Sequence, residues 1–257
     1  MKDDGDLQIA HSALVEGDAT AAMLEFQAQS MGLPADQIPE LLAQMSKTLL
    51  TTGMGDKTPQ FDKAPAFVKE TLMFPYLTGL LFIESVRRTS PWSKIDEIFK
   101  SPPESTEQVL HPEKYVAKEH PVKITPAPIA ALGTRKEVRR DVFGELVMKI
   151  LFATAPPPPA PPGPKKIGAA ADDAATLAEK AAAGWGGDRE VAYAETEGPV
   201  TVVDLSTWDT EGDAKEAELV AARLLKKLGD ADSGPNGGDW LAARSGDKLV
   251  LVFGAPK

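Results

Sequence analysis

The chain has 257 residues, 42% hydrophobic and 26% charged, enough apolar content for one large core or two modest ones. A net charge of −10 with only scattered bases argues against a nucleic-acid partner. With no cysteine, disulfides, thiolate metal sites and cysteine nucleophiles are excluded.

The opening Met1-Lys2-Asp3-Asp4-Gly5-Asp6 is polar, so the chain as it stands reads as cytoplasmic, with export expected only for a longer parent carrying a signal peptide. The most apolar window, 72–86, is short for a membrane span and contains Pro75 and Glu84, so a soluble protein is expected. Residues 8–26 have helical spacing. At 100° per residue Ile9, Ala13, Thr20 and Met23 share one face with Glu16 at its centre, while His11, Asp18 and Glu25 project from the other side. A carboxylate on a packed helix face is costly unless it is paired, protonated or metal-bound, which singles out Glu16. Residues 32–36 break this helix. Ile38, Leu41, Leu42, Met45 and Leu49 predict another over 37–50, and 51–65 reads as a loop around Gly53, Gly55 and Pro59.

Residues 66–88 predict a long central helix kinked at Pro75. Pro91 and Trp92 open a short helix through Phe99. Ser105 with Gln108 three residues on predicts a capping box leading into Val109-Leu110-His111-Pro112-Glu113-Lys114-Tyr115. A strand is expected at 122–125 and an amphipathic helix over 135–152. Seven prolines in 155–164 predict an extended spacer of roughly 30 Å, a linker or exposed insertion. An alanine-rich helix follows over 169–183, stopped by Gly184. Strands are predicted at 190–194 and 200–205, a helix over 210–228 capped by Asp209, and a hairpin of 240–244 with 248–253. The predicted class is α+β: a mainly helical portion at 1–154, a Pro-rich linker or insertion at 155–168, and a small antiparallel α/β unit at 169–257, the whole alternatively forming one continuous domain.

No complete catalytic constellation is visible. The three histidines, His11, His111 and His120, include no pair one helical turn apart and no HExxH. Gly184-Trp185-Gly186-Gly187-Asp188-Arg189 lacks the spacing of a phosphate loop and reads as a tight turn with Trp185 packed inward. Glu104, Glu107 and Glu113 support no glycosidase assignment. His111 with Tyr115 offers donors suited to a developing oxyanion, or else anchors a proline-punctuated loop. His120 and His11 are expected to face solvent.

Leu14-Val15-Glu16-Gly17-Asp18-Ala19-Thr20, Phe74-Pro75-Tyr76 with Gly79, and the run from Ser105 to Tyr115 resemble, in order, a group of predicted zinc metallopeptidases of the gluzincin (HExxH…E, thermolysin-like) class. Asp141-Val142-Phe143-Gly144-Glu145, Gly184 to Arg189, and Trp208-Asp209-Thr210-Glu211 extend the resemblance over nearly the whole chain. It implies a zinc held by two histidines of an upstream helix and by a later glutamate, with Glu16 at the matching position. It also implies His111 and Tyr115 near the scissile bond of a peptide or protein substrate. The chain departs from the pattern in two ways. No HExxH lies among the fifteen residues before Glu16, and Thr20 stands where a supporting aspartate is expected. The resemblance therefore implies a fragment or degenerate form that is not catalytic and holds no zinc alone, and a hydrolase only if the HExxH helix is supplied upstream or in trans. The alternative is a non-catalytic binding or structural module.

Overall fold

The computed structural model describes residues 3–34, 37–38, 40–42, 44–45, 48, 61, 63–158, 174–195, 200–230 and 239–255. The fold is α+β, and its contacts divide the chain into one unit spanning Gly5–His120 and another spanning Pro121–Lys257 with Lys2–Asp4.

The first unit is helical: α1 (Gly5–Ser30), α2 (Ala66–Arg87), α3 (Trp92–Ile98), α4 (Thr106–Leu110) and α5 (Pro112–Ala117). Small residues every three or four positions, Ala10, Ala13, Gly17, Ala21 and Ala28, form the buried face of α1. They let α2 approach until backbone meets backbone. A Cβ on Gly17 would lie 2.3 Å from the Gly79 carbonyl carbon, so any side chain there must force the helices apart. The α2 helix runs unbroken through Pro75 and buries Phe74, Leu80, Phe82 and Ile83. By length and composition alone it is long and apolar enough to cross a membrane. Ile38 and Leu42 pack with Ala28 and Leu24. The described residues from 38 to 48 are helical, whereas most of the predicted loop, 51–60, lies outside the described residues.

The packed face of α1 is rotated by roughly a quarter turn from the expected one. Met23 is 53% exposed, Ile9 and Thr20 are only partly covered, and Glu25, expected in solvent, is buried. The cause is that α1 is apolar on both sides, so hydrophobic periodicity does not fix its phase. The close approach permitted by Gly17 fixes it instead.

The second unit contains β1 (Lys136–Asp141), α6 (Gly144–Ala153), α7 (Ala174–Ala182), β2 (Trp185–Ala194), β3 (Thr201–Trp208), α8 (Glu211–Asp230), β4 (Asp239–Ser245) and β5 (Lys248–Ala255). The strands form one antiparallel sheet in the order β1-β2-β3-β5-β4. Met148 and Phe152 of α6, Ala178 and Ala182 of α7, and Ala214, Ala221 and Leu224 of α8 cluster with Trp185, Trp208, Leu249 and Leu251. Phe152 stacks on Trp208 with ring centroids 6.3 Å apart.

The structure departs from several of the local expectations. Residues 122–125 form no strand; Val122 makes a single backbone bond to the Gly186 carbonyl. Residues 135–152 are a strand followed by a helix. The charged, exposed residues of β1 pair at the sheet edge, where no hydrophobic period reports them, and Gly144, at φ +73°, stops a helix from running through. Trp185 is fully buried as expected, but it begins a strand and not a tight turn. Thr210, not Asp209, caps α8: its Oγ1 accepts the Asp213 N–H at 3.2 Å. Residues 121–154, grouped by sequence with the N-terminal helices, pack with the C-terminal elements because α6 completes the core around Trp208. Most of the predicted polyproline spacer, from residue 159 on, lies outside the described residues.

Candidate functional site

Glu16 sits half-buried on α1 and makes no side-chain hydrogen bond or ion pair with the described residues. It borders an exposed stripe of Val15, Ala19, Ala22, Met23 and Phe26, in which Val15 is 53% and Phe26 71% exposed. At 100° per residue this stripe lies opposite the face that packs on α2. A helix apolar on opposite sides is suited to neighbours on both.

The carboxylates on the packed face are Asp6 and Glu25, and both are partnered. Asp6 accepts the Thr106 N–H at 3.1 Å and the Thr106 hydroxyl at 2.5 Å, tying the first turn of α1 to the start of α4. Glu25 receives Arg87 Nη2 at 3.2 Å, and the Arg87 guanidinium also lies 4.5 Å over the Trp92 ring. Glu84, one turn before Arg88, is buried with one oxygen lacking a hydrogen-bond partner. Burial and then the Glu25 carboxylate raise its pKa to about 7, against the lowering pull of Arg87 and Arg88. Sequence reasoning passed over Glu84 as a blemish in a membrane-like window. Its buried position depends on the phase of α2 against α1.

Ser105 caps α4 by accepting the Gln108 N–H, as the sequence indicates. The Gln108 side chain reaches one residue further back than a capping box requires, to the Glu104 N–H at 2.8 Å. The stretch that follows is helical. His111 joins α4 to α5, with Nδ1 3.6 Å from a Glu113 oxygen. The Tyr115 hydroxyl donates to the Ser101 carbonyl at 2.7 Å, its ring meets Phe82 edge-on, and burial raises its pKa. Lys114 bridges buried Glu107 at 2.7 Å and Glu119 at 2.8 Å. His111 and Tyr115 thus stand one turn apart. Glu16 lies ten residues, roughly 15 Å of helix, along α1 from the turn that holds α4. His120 is exposed beside Glu104, and His11 is partly covered.

The second unit holds a separate group of carboxylates that the sequence did not announce. Asp188 is 2% and Asp204 0% exposed, with Glu190 and Glu145 also buried. Asp188 accepts the Phe143 and Gly144 N–H groups, each at 2.8 Å, and Trp185 Nε1 at 2.9 Å. It therefore caps α6 from a neighbouring strand, a task that Phe143 at the N-cap position cannot perform.

Residues 131–257 match a family described as "Domain of unknown function (DUF8575)". The match begins just before β1, spans the proline-rich stretch and takes in the whole sheet, but covers neither Glu16, His111 nor Tyr115. No curated protein and no solved structure matches the chain.

Proposed function

We propose that this chain is the ligand-presenting portion of a zinc metallopeptidase-like protein, in which α1 offers Glu16 as third metal ligand beside a helix that supplies two histidines. The outward face of α1 carries this reading: a carboxylate without a partner among the described residues lies at the edge of an exposed apolar stripe on a helix held fast from the other side. A helix seated on Val15, Ala19, Ala22 and Phe26 would cover the stripe and bring its own side chains beside Glu16. A catalytic zinc takes about three protein ligands and an open position, so a chain contributing one of them is non-catalytic alone. With the metal site complete, the reaction is hydrolysis of a peptide or protein. Zinc would polarise the carbonyl and lower the pKa of its bound water.

One observation favours a second reading, a non-catalytic binding or structural module. The Tyr115 hydroxyl is given to the Ser101 carbonyl, and the Glu107–Lys114 pair locks the same segment, so these side chains already serve packing. The DNA upstream of Met1 and the chains that copurify with the protein separate the two readings. The first expects an HExxH helix in frame or in a partner, and a complex whose zinc is lost in Glu16→Ala. Absence of such a helix from both places would leave only the second.

A further inference from the structure

We propose that Asp204 carries a proton and donates it to the Asp188 carboxylate, forming a buried carboxyl–carboxylate latch between β3 and the β2–α6 junction that opens at alkaline pH. Side chains alternate along strands, and the register sets Asp188 opposite Ser206 and Glu190 opposite Asp204. Asp188 and Asp204 are therefore diagonal neighbours on one face, the face that also carries Leu249 and Leu251. The two carboxyls have unequal surroundings. Burial raises the Asp188 pKa to about 6, while its three N–H donors favour the charged form and work against that rise. Neither oxygen of Asp204 has a hydrogen-bond donor among the described residues, although the residue is fully buried.

The charged groups on the neighbouring elements do not compensate a second charge. β2 contributes the Glu190 carboxylate directly across from Asp204, and α6 contributes buried Glu145. β1 contributes Asp141 and Arg139, which bond each other, with Arg139 largely in solvent. β5 presents leucines, and α7 and α8 present alanines and Leu224. A bare Asp204 carboxylate there is strongly disfavoured. A proton on it removes the charge and supplies the missing bond by using the lone pair that Asp188 has left. Burial first, and then the Asp188 charge, hold the Asp204 pKa well above the ordinary carboxylate range. On ionisation the proton passes to solvent, and two adjacent anions face each other where α6 begins.

The sign follows from linkage. A raised folded-state pKa makes the contribution complete below the unfolded value of about 4, and it declines as pH rises towards the folded value. The test is urea unfolding of the full chain at several pH values, followed by tryptophan fluorescence, with 13C NMR of the aspartate carboxyls. The folding equilibrium constant should fall by up to about tenfold per pH unit for each proton that the folded pair retains. Asp204→Asn should flatten that part of the slope and exceed the parent in stability at alkaline pH, because its amide donates to Asp188 without titrating. The Glu84 contribution is common to both proteins and cancels in the comparison. Asp188→Asn should be weaker at every pH. In the parent, the Asp204 carboxyl should resonate as protonated at neutral pH, a readout that holds even where a variant fails to fold. An ionised Asp204 at neutral pH, an unchanged slope in Asp204→Asn, or stability lost to a chelator (a bound cation in place of the proton) would each overturn the proposal.

Discussion

Glu84 is a buried carboxyl of the helical unit that changes protonation state near neutral pH. Its pKa, raised to about 7 chiefly by burial, means that the stability of its neutral form is complete below about pH 4.5 and lost as pH rises through 7. Glu84→Gln should match the parent in acid and exceed it by about 1–3 kcal/mol near pH 8, measured by denaturant unfolding. Asp6→Ala should act at all pH values above the carboxylate range. It leaves the Thr106 N–H and hydroxyl without their charged acceptor and should cost about 1–3 kcal/mol, seen as a lower urea midpoint at constant slope. The sequence argument that a packed-face carboxylate needs a partner holds for Asp6 and Glu25. It was attached to Glu16 because the pattern of α1 permits more than one phase. The partners, Thr106 and Arg87, lie 100 and 62 positions away, beyond anything local spacing reveals.

At the scale of elements, the contact of α1 with α2 rests on two glycines. Alanine is favoured over glycine inside a helix by about 1 kcal/mol, yet Gly17→Ala places a Cβ 2.3 Å from backbone. Overpacking of that kind costs about 1–3 kcal/mol or more, so a net loss and a lower melting temperature are expected. Gly229→Ala supplies the contrast. It stands near the end of α8 with no described residue within 4 Å of the added Cβ, and should gain a few tenths of a kcal/mol, roughly. The α8 helix and the β4–β5 hairpin were legible from sequence within a few residues, since amphipathic spacing marks the helix and Ser245-Gly246-Asp247 the turn, although the predicted cap was one residue early. β1 was not. Its residues are charged and exposed at a sheet edge, so pairing with β2 alone defines it.

For the whole molecule, the order of predicted helices and strands indicates the α+β class that is found, while the division into units falls upstream of the proline tract. The contacts place the boundary between His120 and Pro121, because β1 and α6 complete the sheet and its core. A fragment of 121–257 should unfold cooperatively. One of 169–257 should not, since it lacks Phe152 against Trp208 and the α6 amides that satisfy Asp188.

The candidate site was legible only in part. Glu16 has a carboxylate without a partner among the described residues and an exposed apolar flank, while the two histidines that the proposed site requires would have to come from a helix supplied by another segment. Metal analysis of the purified chain, alone and complexed with the HExxH-bearing segment or partner, tests this directly. The expected result is less than one zinc per chain alone and one zinc in the complex, lost in Glu16→Ala. One zinc per chain held by the 257 residues alone, or full zinc retained by the Glu16→Ala complex, would contradict it.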